Sequence, residues 1–171
     1  PIANFRLESG AVLPMAQVAY ATFGTLNAAR DNTVLVPSYY GADYHGYDFL
    51  IGPGKALDPA KYFVVATEMF GNGQSSSPSN TPAPFSGPDF PAISIRDNVE
   101  ASRRVLAHLG VTHVRAVVGF SMGAEQAFQV RGDDGQDAGE VHRGRKLSDS
   151  GAKARFFHEV SDARLASLIR V

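Results

Sequence analysis

The sequence predicts an α/β fold with a mostly parallel sheet, and three observations support that prediction. Runs rich in β-branched and aliphatic residues at 33–36, 62–67 and 113–120 are typical of buried strands. A helical pattern over residues 94–110 separates the second run from the third, and a proline-free stretch, 122–129, follows the third. Strands that alternate with helices indicate parallel pairing, because parallel neighbours need a long crossover connection.

The N-terminal segment precedes this pattern and differs from it. Residues 5–8 and 12–23 are apolar or β-prone, and Ser9-Gly10 lies between them as a turn. We expect the two runs to form an antiparallel hairpin at the start of the sheet.

The helix over residues 94–110 has clear boundary signals. Ser94 can cap its start, Asp97 stands three residues later as in a capping box, and Gly110 stands at its exit. Arg103 and Arg104 lie away from the apolar face, where a solvated surface is the first interpretation and an anion site the alternative.

Two long connections remain. Residues 42–61 contain Gly52-Pro53-Gly54-Lys55, but a phosphate-binding loop needs Ser or Thr after the lysine, and Ala56 stands there. Residues 71–91 carry three consecutive serines and five prolines. A loop of this length inside a compact domain predicts a rim or lid over a site, with a plain linker as the alternative.

A serine lies between two glycines where the third strand should turn into a helix. Gly119-Phe120-Ser121-Met122-Gly123 has the G-x-S-x-G spacing of a nucleophile elbow. A Cβ at Gly119 or Gly123 would collide with the neighbouring strand or helix. The turn should expose the Ser121 hydroxyl and point the Met122 N–H at a developing oxyanion. The alternative is a tight turn with a capping serine.

Composition narrows the function classes. The 171 residues predict one domain, and 16 Lys+Arg against 17 Asp+Glu give no sign of a nucleic-acid partner. There is no cysteine, so disulfides, thiolate metal sites and a cysteine nucleophile are excluded. Without a signal-like or long apolar segment we expect a cytoplasmic protein with no membrane contact, no metal and no tightly bound cofactor.

Charge is spread unevenly along the chain. Residues 1–129 hold 18 charged side chains and residues 130–171 hold 15, so charge density more than doubles at Val130. Glycines and aspartates directly after Val130 should end the helix. We therefore predict a domain over 1–129, with its sheet ending after the elbow helix. We predict a charged, partly disordered and non-homologous tail over 130–171, in which 158–171 has the spacing of a short amphipathic helix.

Residues 5–129 resemble the homoserine O-acetyltransferase group of the α/β-hydrolase fold. The resemblance rests on VLVPSYYGADYH at 34–45, LIGPGKALDPAKYFVV at 50–65, residues 89–97 and the elbow at 119–123. It implies a serine at position 121 that is acylated from acetyl-CoA as co-substrate and passes the acyl group to a hydroxyl. It also implies that a second backbone N–H, besides that of Met122, stabilises the oxyanion. Ungapped matching places this N–H at Tyr40, and its neighbour Tyr39 is the other candidate.

Two departures from that group broaden the expected substrates. Phe120 and Ala124 stand where the group has glycine, and Phe120 should fill space near the acyl group. We therefore expect a small ester or acyl-CoA substrate, with ester hydrolysis as the alternative to acyl transfer.

The base and acid of a catalytic triad are not identifiable. In the tail, Asp149 precedes His158, and His142 is also available, but no predicted strand holds them against Ser121. His45 and His108 precede the serine, contrary to the usual chain order of the fold. A catalytically incomplete remnant or interaction module that self-associates through an unpaired sheet edge is therefore a further alternative.

Overall fold

The computed structural model describes the backbone of residues 1–133 and the side chains of residues 1–130. Two short 3-10 turns, Tyr44–Tyr47 and Gly87–Asp89, interrupt the longer connections. The strands and α-helices of this part follow in chain order: β1 (Ile2–Arg6), β2 (Val12–Ala16), β3 (Tyr20–Phe23), β4 (Thr33–Pro37), β5 (Phe63–Thr67), α1 (Ile95–His108), β6 (Ala116–Val117) and α2 (Met122–Asp133).

The main sheet has the strand order β3-β5-β4-β6. β4 pairs in parallel with both neighbours, with Val34 opposite Val64 of β5 and Ala116 of β6. β3 runs antiparallel to β5 at the other edge. The predicted α/β fold with a mostly parallel sheet is confirmed, and it brings the carboxyl ends of β4, β5 and β6 to one edge.

The N-terminal hairpin is confirmed, but its second strand was predicted too long. β1 and β2 form a separate antiparallel pair, with Phe5 opposite Leu13. Residues 20–23, expected to continue that strand, instead form β3 of the main sheet. The chain leaves the hairpin at Gln17 because its N–H donates to the Ser76 hydroxyl at 2.8 Å.

The strand before the serine is also shorter than predicted. Of residues 113–120, only Ala116–Val117 form a strand. Hydrogen bonds extend the contact by one residue on each side, since Arg115 N–H donates to Thr33 O and Val118 N–H donates to Leu35 O. In the described residues β6 pairs only with β4. Because it has a partner strand on one side only, few of its residues form the hydrogen bonds of a strand.

Each face of the sheet buries its own apolar cluster because strand side chains alternate. Leu35 and Val65 pack with residues of α1 and α2, including Val99, Leu106 and Val130. The opposite face packs against the segment that follows the 3-10 turn at 44–47, and its buried members are Val34, Val36, Tyr47, Leu50, Ile51, Leu57, Val64 and Ala66.

The signals predicted for α1 are confirmed. The Ser94 hydroxyl accepts from Asp97 N–H, and the Asp97 carboxylate accepts from Ser94 N–H, which completes the capping box. Gly110 has a φ of +70° directly after the helix, a conformation that favours glycine.

The serine-rich part of the 71–91 loop points into the protein. Ser75, Ser76 and Ser77 are all buried. The Ser75 hydroxyl accepts from Ala19 N–H and donates to Glu68 O. This part of the loop therefore anchors β2, β3 and β5 to one another, and the predicted lid role finds no support at these three residues.

Helix α2 continues past its expected end. It runs to Asp133, so Gly132 lies inside the helix and the predicted boundary after residue 129 falls within α2. The remaining predictions for the tail, including the helix at 158–171, concern residues outside the described part of the chain.

Candidate functional site

Ser121 occupies the turn between β6 and α2. Its backbone has a φ of +49°, a left-handed conformation that is strained for a serine. The turn is closed by Gly123 N–H donating to Phe120 O at 2.7 Å and Ala124 N–H donating to Ser121 O at 2.9 Å. Ser121 is exposed at the start of the helix. The strand, strained serine and helix therefore follow one another as the motif predicts.

The two flanking glycines are sterically required, as predicted. A Cβ on Gly119 would overlap the backbone of Gly123 and lie 2.7 Å from Ala124 N. A Cβ on Gly123 would lie 2.6 Å from Pro37 O and 2.8 Å from the Tyr47 hydroxyl. Real Cβ atoms do not approach heavy atoms this closely. The absent side chains let α2 start directly against the end of β4.

The segment after β4 forms a tight turn beside Ser121. Tyr39 and Ala42 form an isolated antiparallel bridge, in which Ala42 N–H donates to Tyr39 O at 3.1 Å. Tyr40 lies at the tip with an 82% exposed side chain, whereas the Tyr39 ring is half-buried. Within residues 1–130, neither Tyr40 N–H nor Met122 N–H donates to a protein acceptor. Tyr39 N–H likewise has no acceptor among these residues, so Tyr40 and Tyr39 both stay candidate donors.

Tyr47 joins this segment to the serine turn. Its hydroxyl donates to Pro37 O at 2.8 Å and accepts from Phe120 N–H at 3.1 Å, and the side chain is fully buried. Burial raises the pKa of the Tyr47 phenol well above its usual range, against the bond from Phe120 N–H, which lowers it. The phenol therefore stays protonated and donates to the carbonyl.

Aromatic rings surround Phe120, the residue before Ser121. Its ring stacks on Tyr47 at a centroid distance of 5.5 Å and contacts Phe49 at 5.6 Å. Tyr39 meets it edge-on at 6.3 Å. Phe49 is 55% exposed. The side chain that replaces glycine thus helps to form an apolar wall on one side of the serine turn.

A buried carboxyl group lies beneath the turn that carries Tyr40. Glu68 accepts from Tyr44 N–H at 2.8 Å and from the Asn72 side-chain amide at 2.6 Å. Burial raises the pKa of the Glu68 carboxyl, and the hydrogen bonds oppose that shift. Glu68 links the segment after β4 to the segment after β5.

No histidine is hydrogen-bonded to Ser121 among the residues that the structure describes. His45 instead pairs with Asp48 at 3.0 Å on the surface, and both side chains are well exposed. The other candidates for base and acid, His142, Asp149 and His158, lie outside the described residues.

The sequence reasoning missed Tyr47, Glu68 and Gln126. Gln126 lies on α2 and donates from Nε2 to Ser38 O at 2.9 Å. The position of Glu68 could have indicated a site residue, because it is an ionisable residue directly after a fully buried strand. Tyr47 lies in a Gly- and Asp-rich connection without periodicity, so nothing local marked it as buried.

In the part of the chain that the structure describes, no three His, Asp or Glu side chains are grouped to hold a metal ion. No helix in the same part of the chain is both long and apolar enough to cross a membrane.

Comparison with known proteins identifies the family. Residues 34–135 match the α/β-hydrolase fold family, and the chain belongs to it. A probable esterase of Corynebacterium glutamicum is 40% identical over 152 residues, which are 86% of this chain and 42% of that protein. A homoserine O-acetyltransferase of Methanosalsum zhilinae is 38% identical over 143 residues, which are 74% of this chain and 29% of that protein.

A solved structure agrees with these relatives. An acetylester hydrolase from Corynebacterium glutamicum superposes with a TM-score of 0.74 at 41% identity, covering 77% of this chain and 39% of that one. The resemblance to homoserine O-acetyltransferases is thus confirmed, and esterases are similar to the chain as well. The chain spans less than half the length of these relatives.

Proposed function

We propose that Ser121 is the nucleophile of an acyl-transfer site that cleaves small acetyl esters. The observation that carries the proposal is the exposed, left-handed serine at the start of α2, with the Tyr40 turn held beside it by Tyr47. Strain of this kind in a non-glycine residue is typical of functional positions.

The proposed chemistry has two steps. The Ser121 oxygen attacks the ester carbonyl carbon, its proton passes to a base, and the N–H groups of Met122 and Tyr40 stabilise the oxyanion. The alcohol leaves with a proton, and water then cleaves the acyl-serine ester. Loss of one oxyanion donor typically raises the barrier by roughly 3 kcal/mol.

One observation supports water as the acceptor, because sequence identity does not separate the two classes. The esterase relatives named above are 40–41% identical to this chain, and homoserine O-acetyltransferases reach 38–39%. The rings of Tyr39, Tyr47 and Phe49 around Phe120 are apolar or phenolic, which suits an ester alkyl group better than a charged amino-acid acceptor. Transfer from acetyl-CoA to a hydroxyl acceptor is the second candidate, since it shares the same acetyl-serine intermediate.

Hydrolysis of an aryl acetate tests the proposal. We expect the chain to release the phenol faster than Ser121→Ala does, and equal rates in the two proteins would reject Ser121 as the nucleophile. Adding acetyl-CoA with a series of hydroxyl acceptors separates the candidates. Acetylated acceptor would identify a transferase, whereas acetate alone would identify an esterase.

A further inference from the structure

Gln126 is a polar side chain buried between α2 and the segment after β4. It lies on α2, five residues after Ser121, and is only 2% exposed. A buried amide is destabilising unless its donors and acceptors find partners. Its Nε2 donates to Ser38 O at 2.9 Å, with a longer contact of 3.4 Å to Met122 O. One amide therefore joins the helix that carries Ser121 to a residue 88 positions earlier.

Ser38 is the base of the turn that carries Tyr40. Its N–H donates to Thr67 O at 2.8 Å, and its hydroxyl accepts from Met69 N–H at 2.9 Å. Both bonds fix Ser38 relative to β5 and the residues that follow it. Only the bond from Gln126 to the Ser38 carbonyl, among those that the structure gives for Ser38, connects it to α2.

The peptide plane transmits this connection to the candidate oxyanion site. The Ser38 carbonyl and the Tyr39 N–H belong to one planar group, so a bond to the carbonyl fixes the orientation of the whole group. The turn from Tyr39 to Ala42 is closed by its own hydrogen bond and follows as one unit. The Gln126 amide thus constrains the Tyr39 N–H directly, and the Tyr40 N–H through the closed turn, relative to Met122 N–H.

We propose that Gln126 is a positioning residue that aligns the Tyr40 N–H with the Met122 N–H across the site of Ser121. The inference rests on the proposed function, because it assigns a purpose to the alignment of two oxyanion donors. It predicts that Gln126 affects the stabilisation of the transition state and leaves ground-state binding of the ester nearly unchanged.

The kinetic test compares Gln126→Met and Gln126→Leu with the unchanged chain. Both residues retain most of the bulk of the side chain but have no donor for Ser38 O. We expect kcat for aryl acetate hydrolysis to fall roughly 10- to 100-fold in both, with KM little changed. Gln17→Met, the same change at an exposed position, should leave kcat unchanged. Unchanged kcat in a folded Gln126 variant would overturn the inference.

A structural readout keeps this test separate from that of the proposed function. If the unchanged chain hydrolyses no faster than Ser121→Ala, the proposed function fails, and amide NMR then decides the inference. We expect the Tyr39 and Tyr40 amide resonances to shift, and their hydrogen exchange to accelerate, in Gln126→Met but not in Gln17→Met. Resonances and exchange rates equal to those of the unchanged chain would contradict the proposal.

Discussion

At the scale of single residues, the site depends on hydrogen bonds between parts of the chain that are far apart in sequence. Tyr47 is the clearest example, because one phenol satisfies Pro37 O at the end of β4 and Phe120 N–H before the serine. The bond to Pro37 O is buried and the bond from Phe120 N–H is partly buried, so removing the phenol takes one hydrogen bond from each group.

Tyr47→Phe should therefore destabilise the fold although the ring remains. We expect a loss of about 2 kcal/mol in the free energy of unfolding, because the buried Pro37 O and the partly buried Phe120 N–H each lose one hydrogen bond. Urea unfolding measures it. Tyr40→Phe removes a phenol from an 82% exposed side chain and should change the free energy by less than about 0.5 kcal/mol. Equal effects of the two substitutions would show that the Tyr47 hydroxyl contributes nothing.

Gly123→Ala is informative because two physical effects predict opposite signs. Helix propensity alone would stabilise α2 by roughly 1 kcal/mol. The new Cβ would instead lie 2.6 Å from Pro37 O and force α2 away from β4. We expect net destabilisation, seen as a lower midpoint of thermal unfolding. A raised midpoint would mean that the helix can move away without cost.

At the scale of elements, Glu68 connects the segments that follow β4 and β5. Its carboxyl accepts from Tyr44 N–H and from the Asn72 amide while only 3% of the residue is exposed. Because burial favours the neutral acid, the pKa of Glu68 in the folded protein lies above its value in the unfolded chain. The contribution of this group to stability is present below the unfolded pKa and is lost as pH rises through the folded pKa.

Glu68→Gln should remove this pH dependence, since an amide stays neutral throughout. We expect the free energy of unfolding of the unchanged chain to fall as pH rises above about 4.5, the ordinary pKa of the group, and the variant to show a smaller fall. Urea unfolding across that range measures both. Glu125→Gln, which removes an exposed carboxylate, is the control. Parallel profiles for Glu68→Gln and the unchanged chain would contradict the assigned cause.

Helices, strands and turns were predictable from the sequence where interactions between residues close in the chain determine them. The capping box at Ser94 and Asp97, the continuous apolar runs of β4 and β5, and the glycines around Ser121 each act within a few residues. Strand ends were less predictable, because they depend on partners. Residues 12–23 form strands in two different sheets. The Ser76 and Ser75 hydroxyls accept from Gln17 N–H and Ala19 N–H at the point where the chain passes from one sheet to the other.

At the scale of the whole molecule, the sheet brings the turn after β4 and the turn after β6 to one edge. Parallel pairing with Val34 opposite Ala116 and Leu35 opposite Val117 aligns the two carboxyl ends. The motif predicted Ser121 and the Met122 N–H as site groups, and the resemblance implied a second N–H at Tyr40 or Tyr39. Tyr47 and Gln126 could not be predicted, because their roles depend on contacts across 73 and 88 residues.

The outer edge of β6 is the feature on which the alternative function, an interaction module that self-associates, depends. Within the described residues β6 pairs with β4 on one side only, as the sequence led us to expect of a sheet that ends at this strand. Unpaired strand edges promote association. Self-association of the chain remains a prediction, and it is compatible with the acyl-transfer site because Ser121 lies beyond the strand.

Covalent labelling shows whether Ser121 is an activated nucleophile. An alkyl fluorophosphonate reacts with activated serine hydroxyls, forming an O–P bond and releasing fluoride, and peptide mass spectrometry locates the product. We expect one adduct, on the peptide that contains Ser121, and none in Ser121→Ala. Labelling that is absent, or that falls on other serines and persists in Ser121→Ala, would contradict it.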